Sequence, residues 1–393
     1  MEPQTEPKQN RTRIALWLVV FAAVILGWFT LSAPKAEQGT IKIGVIAPLT
    51  GVRADAGEFT KNALTIAEEE INADPEKRFK VQFLFEDSKY EPAPAVNALR
   101  KLIDIDGAHY IIGPHGSSEV LAVAPVAEQE KVLLIAPASQ TSEVSQAGDY
   151  IFRVIHNSAQ EAPISASFVA QTMKSDTIHF LALNTAITDA YLKDFTPPFE
   201  AAGKKIGLVE KFDSKAGDFK TELVKIKAKN PTDIFLIATP KHAGLILKQA
   251  SNLGIKAQFY NIGVEGPELL QLAGSAAEGL LYPYSYDRTG NSGKIKRFYD
   301  TYTTRFASEP DTVAANVYDA AFLIAGCVER VGDEVEKVKQ CLYEMNDFNG
   351  ASGVFSIDEN GDAVKAIFFK RVKDGQFVKY DMNSNASSST LPK

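Results

Sequence analysis

The sequence predicts an α/β protein of two doubly wound lobes placed behind an N-terminal transmembrane helix. Three observations carry this. Short apolar runs alternate with helix-period segments from Ile41 to Ala136. The same rhythm restarts near Ser175 and continues to Asn261. Ahead of both lies Ile14–Ser32, a run of 19 residues without a charged side chain.

As a helix the N-terminal run rises about 28 Å, the hydrocarbon thickness of a bilayer. Lys8, Arg11 and Arg13 precede it, and the positive-inside bias then leaves residues 1–13 in the cytoplasm and exports everything after Ser32. A cleaved signal peptide has a shorter apolar stretch ending in a small-x-small site. Here the stretch is longer and is followed only by TLS and PKA. An uncleaved, single-pass anchor in the inner membrane is the expectation, with residues 33–39 as linker and the main domain on the periplasmic side.

The first series opens with Ile41–Ala47, apolar enough for a strand buried on both faces. Helical spacing over Gly57–Asn72 puts Phe59, Ala63, Leu64, Ala67 and Ile71 on one face. Phe79–Glu86 alternates Phe79, Val81, Phe83 and Phe85 with polar or mixed neighbours, which is the period of a strand. Helix Ala93–Ile105, strand Tyr110–Gly113, helix Ser118–Glu128 and strand Val132–Ala136 follow. In the second series the strands are Ile178–Leu183, Ile206–Phe212, Asp233–Ala238 and Ala257–Asn261, separated by helices Asp189–Ala202, Phe219–Lys229 and His242–Leu253. Such βα repetition implies mostly parallel sheets with helices on both faces. Gly279–Tyr284 is a further strand, and helices follow over Lys294–Phe306, Thr312–Val331 and Glu334–Met345. The chain closes with strands Val354–Ser356 and Lys365–Val372 around the turn Asp358–Asp362. The Ser/Asn-rich end, 383–393, has the composition of a disordered tail.

Chemistry is conspicuous by its missing signatures. The sequence holds no GxGxxG after a strand and no GxSxG, and the GNSGK at 290–294 lacks the upstream glycine and following hydroxyl of a phosphate loop. Its five histidines, at 109, 115, 156, 179 and 242, have neither HExxH nor i, i+4 spacing. A formal charge of −7 argues against a nucleic-acid partner. No catalytic residue, cofactor or metal is expected. Two cysteines rule out a disulfide framework and any site of three or four thiolates. Cys327 and Cys341 stand on adjacent predicted helices, either as a disulfide in an exported domain or as two separate buried thiols.

One positive pattern remains. IKIGVIAPLTG at the first strand, GPHGSS at 113–118 and APASQTSEV at 136–144 are followed in order by QASNLGIKAQF at 249–259 and AGSAAEGLLY at 273–282. YDAAFLIAGCVERVG at 318–332 and FNGASGVFSIDENGDA at 348–363 complete the set. Together these resemble the type I periplasmic binding proteins of the branched-chain amino-acid and amide class, over nearly all of residues 41–380. The resemblance implies a binding protein, not an enzyme, that captures a small polar ligand (amino acid, amide or small carboxylate) and delivers it to an ABC permease in the same membrane. Ligand sensing, or an envelope-assembly role on the same fold, is the alternative. It also implies three crossovers, near Arg153–Asn157, Tyr284–Arg288 and Phe348–Ser352. These divide the chain into a first lobe of 40–155 with 285–349 and a second of 156–284 with 350–382.

Ligands of doubly wound sheets bind beyond the carboxyl ends of the strands. The loops after Gly113 and Ala136 are in that position. By the resemblance, Ser117, Ser118, Ala138, Ser139, Gln140 and Thr141 hold the ligand's polar head through hydroxyls and backbone groups. Ser117 opening a helix is also what a capping serine looks like. In the second lobe the family's aromatic gives way to Thr188, with Tyr191 nearby. Its aromatic clamp becomes Thr239–His242 with Lys241, and its ammonium-binding acid falls at Ile262, with Glu265 three residues on. Lys241, together with Arg53 in the first loop, would suit an anionic ligand.

Overall fold

The computed structural model describes residues 39–263, 265–286 and 293–381. The proposed anchor at 14–32 and the tail at 383–393 lie outside them.

The first lobe is built on a five-stranded parallel sheet in the order β2-β1-β3-β4-β5. The strands are β1 (Gly39–Ala47), β2 (Phe79–Asp87), β3 (Tyr110–Ile112), β4 (Leu133–Ala136) and β5 (Ile151–Arg153). Burial follows position in the sheet. Every residue of β3, β4 and β5 is buried, whereas in edge strand β2 Phe79, Val81 and Phe83 are buried and the residues between them are not. Helices α1 (Ala54–Ala73), α2 (Pro92–Asp104) and α3 (Ser117–Glu130) connect the strands.

The chain then enters the second lobe at α4 (Ser158–Thr172). Its sheet runs β15-β14-β10-β9-β8-β6-β7. β6 (Thr177–Leu183), β7 (Lys205–Phe212), β8 (Asp233–Ile237), β9 (Gln258–Asn261) and β10 (Leu281–Tyr284) are parallel and repeat the strand order of the first lobe. Between them stand α5 (Ala186–Ala201), α6 (Lys220–Lys227), α7 (Pro240–Asn252) and α8 (Pro267–Ala273). Strands β14 (Phe368–Lys373) and β15 (Gln376–Lys379) add an antiparallel edge.

Between β10 and β14 the chain returns to the first lobe as α9 (Gly293–Phe306), α10 (Thr312–Val331) and α11 (Val335–Tyr343). Among the described residues α10 is the one helix long and apolar enough to cross a membrane, but 78% of its most apolar 18-residue window is buried. It is apolar because it forms the first lobe's core. Its start is capped by Asp311, which accepts from Ala314 N at 2.8 Å, and it stops at Gly332, whose φ of 88° few other residues adopt.

Strands β11 (Phe348–Gly350), β12 (Gly353–Ile357) and β13 (Ala363–Lys365) form a separate antiparallel sheet. It stays with the first lobe. Ala351 N and Ser352 N donate to Asp319 of α10 at 2.6 and 2.8 Å, Lys365 Nζ donates to Asn316 at 2.9 Å, and Arg153 N donates to Gly361 O at 2.8 Å. The chain therefore joins the second sheet only at Phe368, later than the division at 350 read from the sequence. The run Lys365–Val372, read as one strand, is two strands of two sheets broken at Ala366–Ile367.

Cys327 of α10 and Cys341 of α11 form a disulfide, which settles the choice between a bridge and free thiols. Both are buried.

Candidate functional site

In each sheet the strand order reverses beside the first strand, and sheets of this kind bind ligands beyond the carboxyl ends of the strands at that reversal. In the first lobe the loop after β1 is held by Asp87 at the end of β2. Its carboxylate accepts from Leu49 N at 2.9 Å, Thr50 N at 3.2 Å and Thr50 Oγ1 at 2.6 Å. The loop after β3 turns at Gly113, where φ is +104° and a Cβ would fall 2.0 Å from Ile46 O. Only glycine fits there.

Helix α3 is capped by Gly116, whose N–H donates at 2.7 Å to Glu119 of the first turn. The sequence reading of Ser117 as a capping serine is thus replaced. Ser117 Oγ instead ties two loops together, accepting from Ser139 Oγ at 3.1 Å and from Thr141 N at 3.4 Å. Ser139 and Thr141 are buried, Ser117, Ala138 and Gln140 half-buried, and Ser118 is exposed on the first turn of α3. The first lobe therefore brings hydroxyls and a helix N-terminus to one place, an arrangement that favours negative charge.

The residues named for the second lobe are not gathered in the same way. Thr188 is buried, and its hydroxyl donates to Leu183 O, fastening α5 to the end of β6. Lys241 is exposed on the first turn of α7. Glu265 pairs with Lys370 of β14 and accepts from Tyr282 Oη at 2.7 Å, so it serves the edge of its own sheet.

What does line the cavity between the lobes is Gln140 from the first lobe, with Ser158, Glu161, Ile187, Tyr191 and Ile262 facing it. Gln140 O accepts from Ser158 N at 2.7 Å, so this wall is continuous across the crossover. Glu161 is 1% exposed, and its Oε2 lies 2.5 Å from His156 Nε2. Burial, with Glu161 as a smaller contribution, holds the Tyr191 hydroxyl well above its usual pKa. Sequence reasoning missed Glu161 because it missed α4. Asn157 caps that helix, accepting from Gln160 N at 2.9 Å, and this N-cap signal was the one available.

Beneath the first-lobe loops, burial pushes the Glu119 carboxyl up to about 7 against hydrogen bonds from Ser88 and Gly116 N. Its folded value lies above the ~4.3 of a free glutamate. The stability it contributes is therefore complete below that value and lost as pH rises through 7. His115 has the opposite sign. Burial pulls it down to about 3, so its contribution is present above the free histidine value of ~6.5 and is lost as pH falls. Glu119→Gln is expected to remove one of these slopes. In melting curves the variant should gain on the parent at pH 8 relative to pH 5, and an equal gap at both would rule out this role for Glu119.

Two α/β lobes with a cavity between them lined by Gln140, Ser158, Glu161, Ile187, Tyr191 and Ile262 have the architecture of a ligand-capturing protein. The chain belongs to the periplasmic binding protein family, whose model matches residues 40–376. It is 26% identical over 378 residues to the leucine-, isoleucine-, valine-, threonine- and alanine-binding protein of Pseudomonas aeruginosa, covering 95% of this chain and 97% of that one. Among solved structures, a leucine-binding protein from Thermotoga maritima superposes with a TM-score of 0.81 at 30% identity, covering 87% of this chain and 98% of its own. A solute-binding protein of an ABC transporter from Rhodopseudomonas palustris, bound to 3,4-dihydroxybenzoic acid, superposes with a TM-score of 0.78 at 26% identity. That match covers 86% of this chain and 95% of the other. The protein is accordingly a solute-binding protein that acts outside the cytoplasm.

Proposed function

We propose that this chain captures a small polar ligand, an amino acid, amide or small carboxylate, and presents it to an ABC permease without changing it chemically. The observation that carries this is the inter-lobe cavity bounded by Gln140 on one side and by Ser158, Glu161 and Tyr191 on the other. A ligand touching both walls stabilises the closed arrangement of the lobes, and a partner in the membrane reads that state. The relatives support the class of ligand, one named for amino acids and one bound to an aromatic carboxylate. The run Ile14–Ser32 and its preceding Lys8, Arg11 and Arg13 support a permanent tether in the inner membrane, with the lobes on the periplasmic side.

The test is calorimetric unfolding of the full chain in detergent against amino acids, amides and small carboxylates. A ligand that binds only the folded state raises the melting temperature by mass action. Ser117→Ala removes one hydroxyl, worth about 1 kcal/mol, and is expected to weaken the best ligand roughly 5- to 10-fold. A folded chain that no compound in the panel shifts would turn the assignment toward envelope assembly.

A further inference from the structure

We propose that Glu161, on the first turn of α4, is the group that receives a protonated amine of the ligand, with His156 as its positioning partner. This rests on the solute-binding reading and gives it a direction: the ligand's cationic end lies against the second lobe and its anionic end against the first.

The starting point is a carboxylate with one oxygen engaged and one not. Glu161 Oε2 meets His156 Nε2 at 2.5 Å, while Glu161 Oε1 is buried and accepts no hydrogen bond. A buried carboxylate oxygen left without a donor costs free energy, and such a group in a native structure calls for a reason. Here the reason is its position, since Glu161 lines the cavity between the lobes. Tyr191 lines the same cavity, with its buried hydroxyl beside the Glu161 carboxylate and Ser165. The rest of the second-lobe wall is largely apolar, through Ile187 and Ile262.

The neighbouring residues keep that oxygen available. His156 Nε2 is approached by Glu161 Oε2 at 2.5 Å and by Gln140 Nε2 at 3.2 Å. One ring nitrogen carries at most one hydrogen. When that N–H donates to Glu161, the Gln140 N–H has no acceptor there and is free to turn toward a ligand. Beside the carboxylate is Gly263, where a Cβ would fall 2.6 Å from Pro283 O and 3.3 Å from Glu161 Oε2. Any larger residue at 263 would crowd the group from that side.

The chemistry then discriminates among ligands. A primary ammonium supplies three donors, enough for Glu161 Oε1 and Tyr191 Oη together. A ligand whose only polar group is a carboxylate brings nothing that Glu161 can accept, and its charge would repel a buried carboxylate. Glu265, nearer the position where the family's acid is expected, is held by Lys370 and does not compete.

The test uses the full chain in detergent and isothermal titration calorimetry with three probe sets. They are individual L-amino acids, the matching 2-hydroxy acids, which replace the amine by a hydroxyl, and benzoate. The expected result is that at least one amino acid binds 100-fold or more tighter than its hydroxy acid. Glu161→Gln, nearly isosteric, is expected to erase most of that ratio while leaving hydroxy-acid binding within about threefold. Tyr191→Phe is expected to weaken the amino acid by a smaller factor. Ser117→Ala is expected to weaken both probes alike, which separates loss of the anionic end from loss of the cationic one. An unchanged ratio in folded Glu161→Gln overturns the assignment of Glu161 but leaves the solute-binding reading intact, as does benzoate binding that tightens in this variant without any amino-acid binding. Failure of the parent chain to bind any probe overturns the assignment of Glu161, and the solute-binding reading falls with it if amides raise no melting temperature either.

Discussion

Replacing Arg153 with methionine is expected to lower stability by about 3–5 kcal/mol, which in a domain of this size is a fall in melting temperature on the order of 10 °C. Arg153 is fully buried at the end of β5, and its guanidinium is divided among four partners. Nε donates to Asp362 at 2.6 Å, Nη1 to Thr141 O at 2.6 Å and Ser139 O at 3.3 Å, and Nη2 to Ser145 Oγ at 2.6 Å. Methionine fills much of the volume but leaves Asp362 charged, buried and held only by Asn157 Nδ2 and Ser145 Oγ, each at 2.7 Å. The loss comes less from the missing attraction than from the uncompensated carboxylate. Replacing both partners, Arg153→Met with Asp362→Leu, should recover most of the stability. Ligand affinity should not recover, because the carbonyls of Ser139 and Thr141 would still lack the donor that sets the loop. Thermal unfolding and calorimetric titration of the single and double variants check this. Equal melting temperatures for the two variants would contradict it.

Removing the disulfide as Cys327→Ala with Cys341→Ala is expected to cost about 3 kcal/mol. The bridge closes a loop with a sequence separation of 14, for which the chain-entropy model gives that value at 25 °C. Both sulfurs are buried between α10 and α11, so a reductant should act on the folded chain slowly and mainly through local opening. The melting curve of the fully reduced parent should coincide with that of the double variant, and both should lie below that of the oxidised parent. A melting temperature indifferent to the bridge would mean that α11 is held by packing alone. The bridge also fits the compartment, since disulfides persist outside the reducing cytosol.

Much of this architecture was legible because strands buried on both faces read as continuous apolar runs, and helices such as α1 carry their core residues at helical spacing. The elements missed have identifiable causes. β5 and β11 have three residues each, too few to show a period. Helix α4 contains Pro163, which reads as a break, yet the helix that Asn157 caps runs on through it to Thr172. The split at Ala366–Ile367 carries no glycine, proline or polar cluster to announce it. For the candidate site, the first-lobe loops were chosen through their motifs, whereas Thr188 and Glu265 were chosen by position along the chain. Their hydrogen bonds to Leu183 O and Tyr282, contacts between distant residues in the case of Glu265, are invisible in sequence. Glu161 was hidden for the same reason in reverse, its importance arising from Tyr191 and Gln140, which only the folded chain brings to it.

The pairing of Arg153 with Asp362 joins the first passage between lobes, just after β5, to a turn that precedes the last passage at Ala366–Ile367 by only a few residues. Two linkers clamped together near their roots cannot swing independently. Held at their first-lobe ends, these two linkers leave the turning to the few residues beyond the clamp.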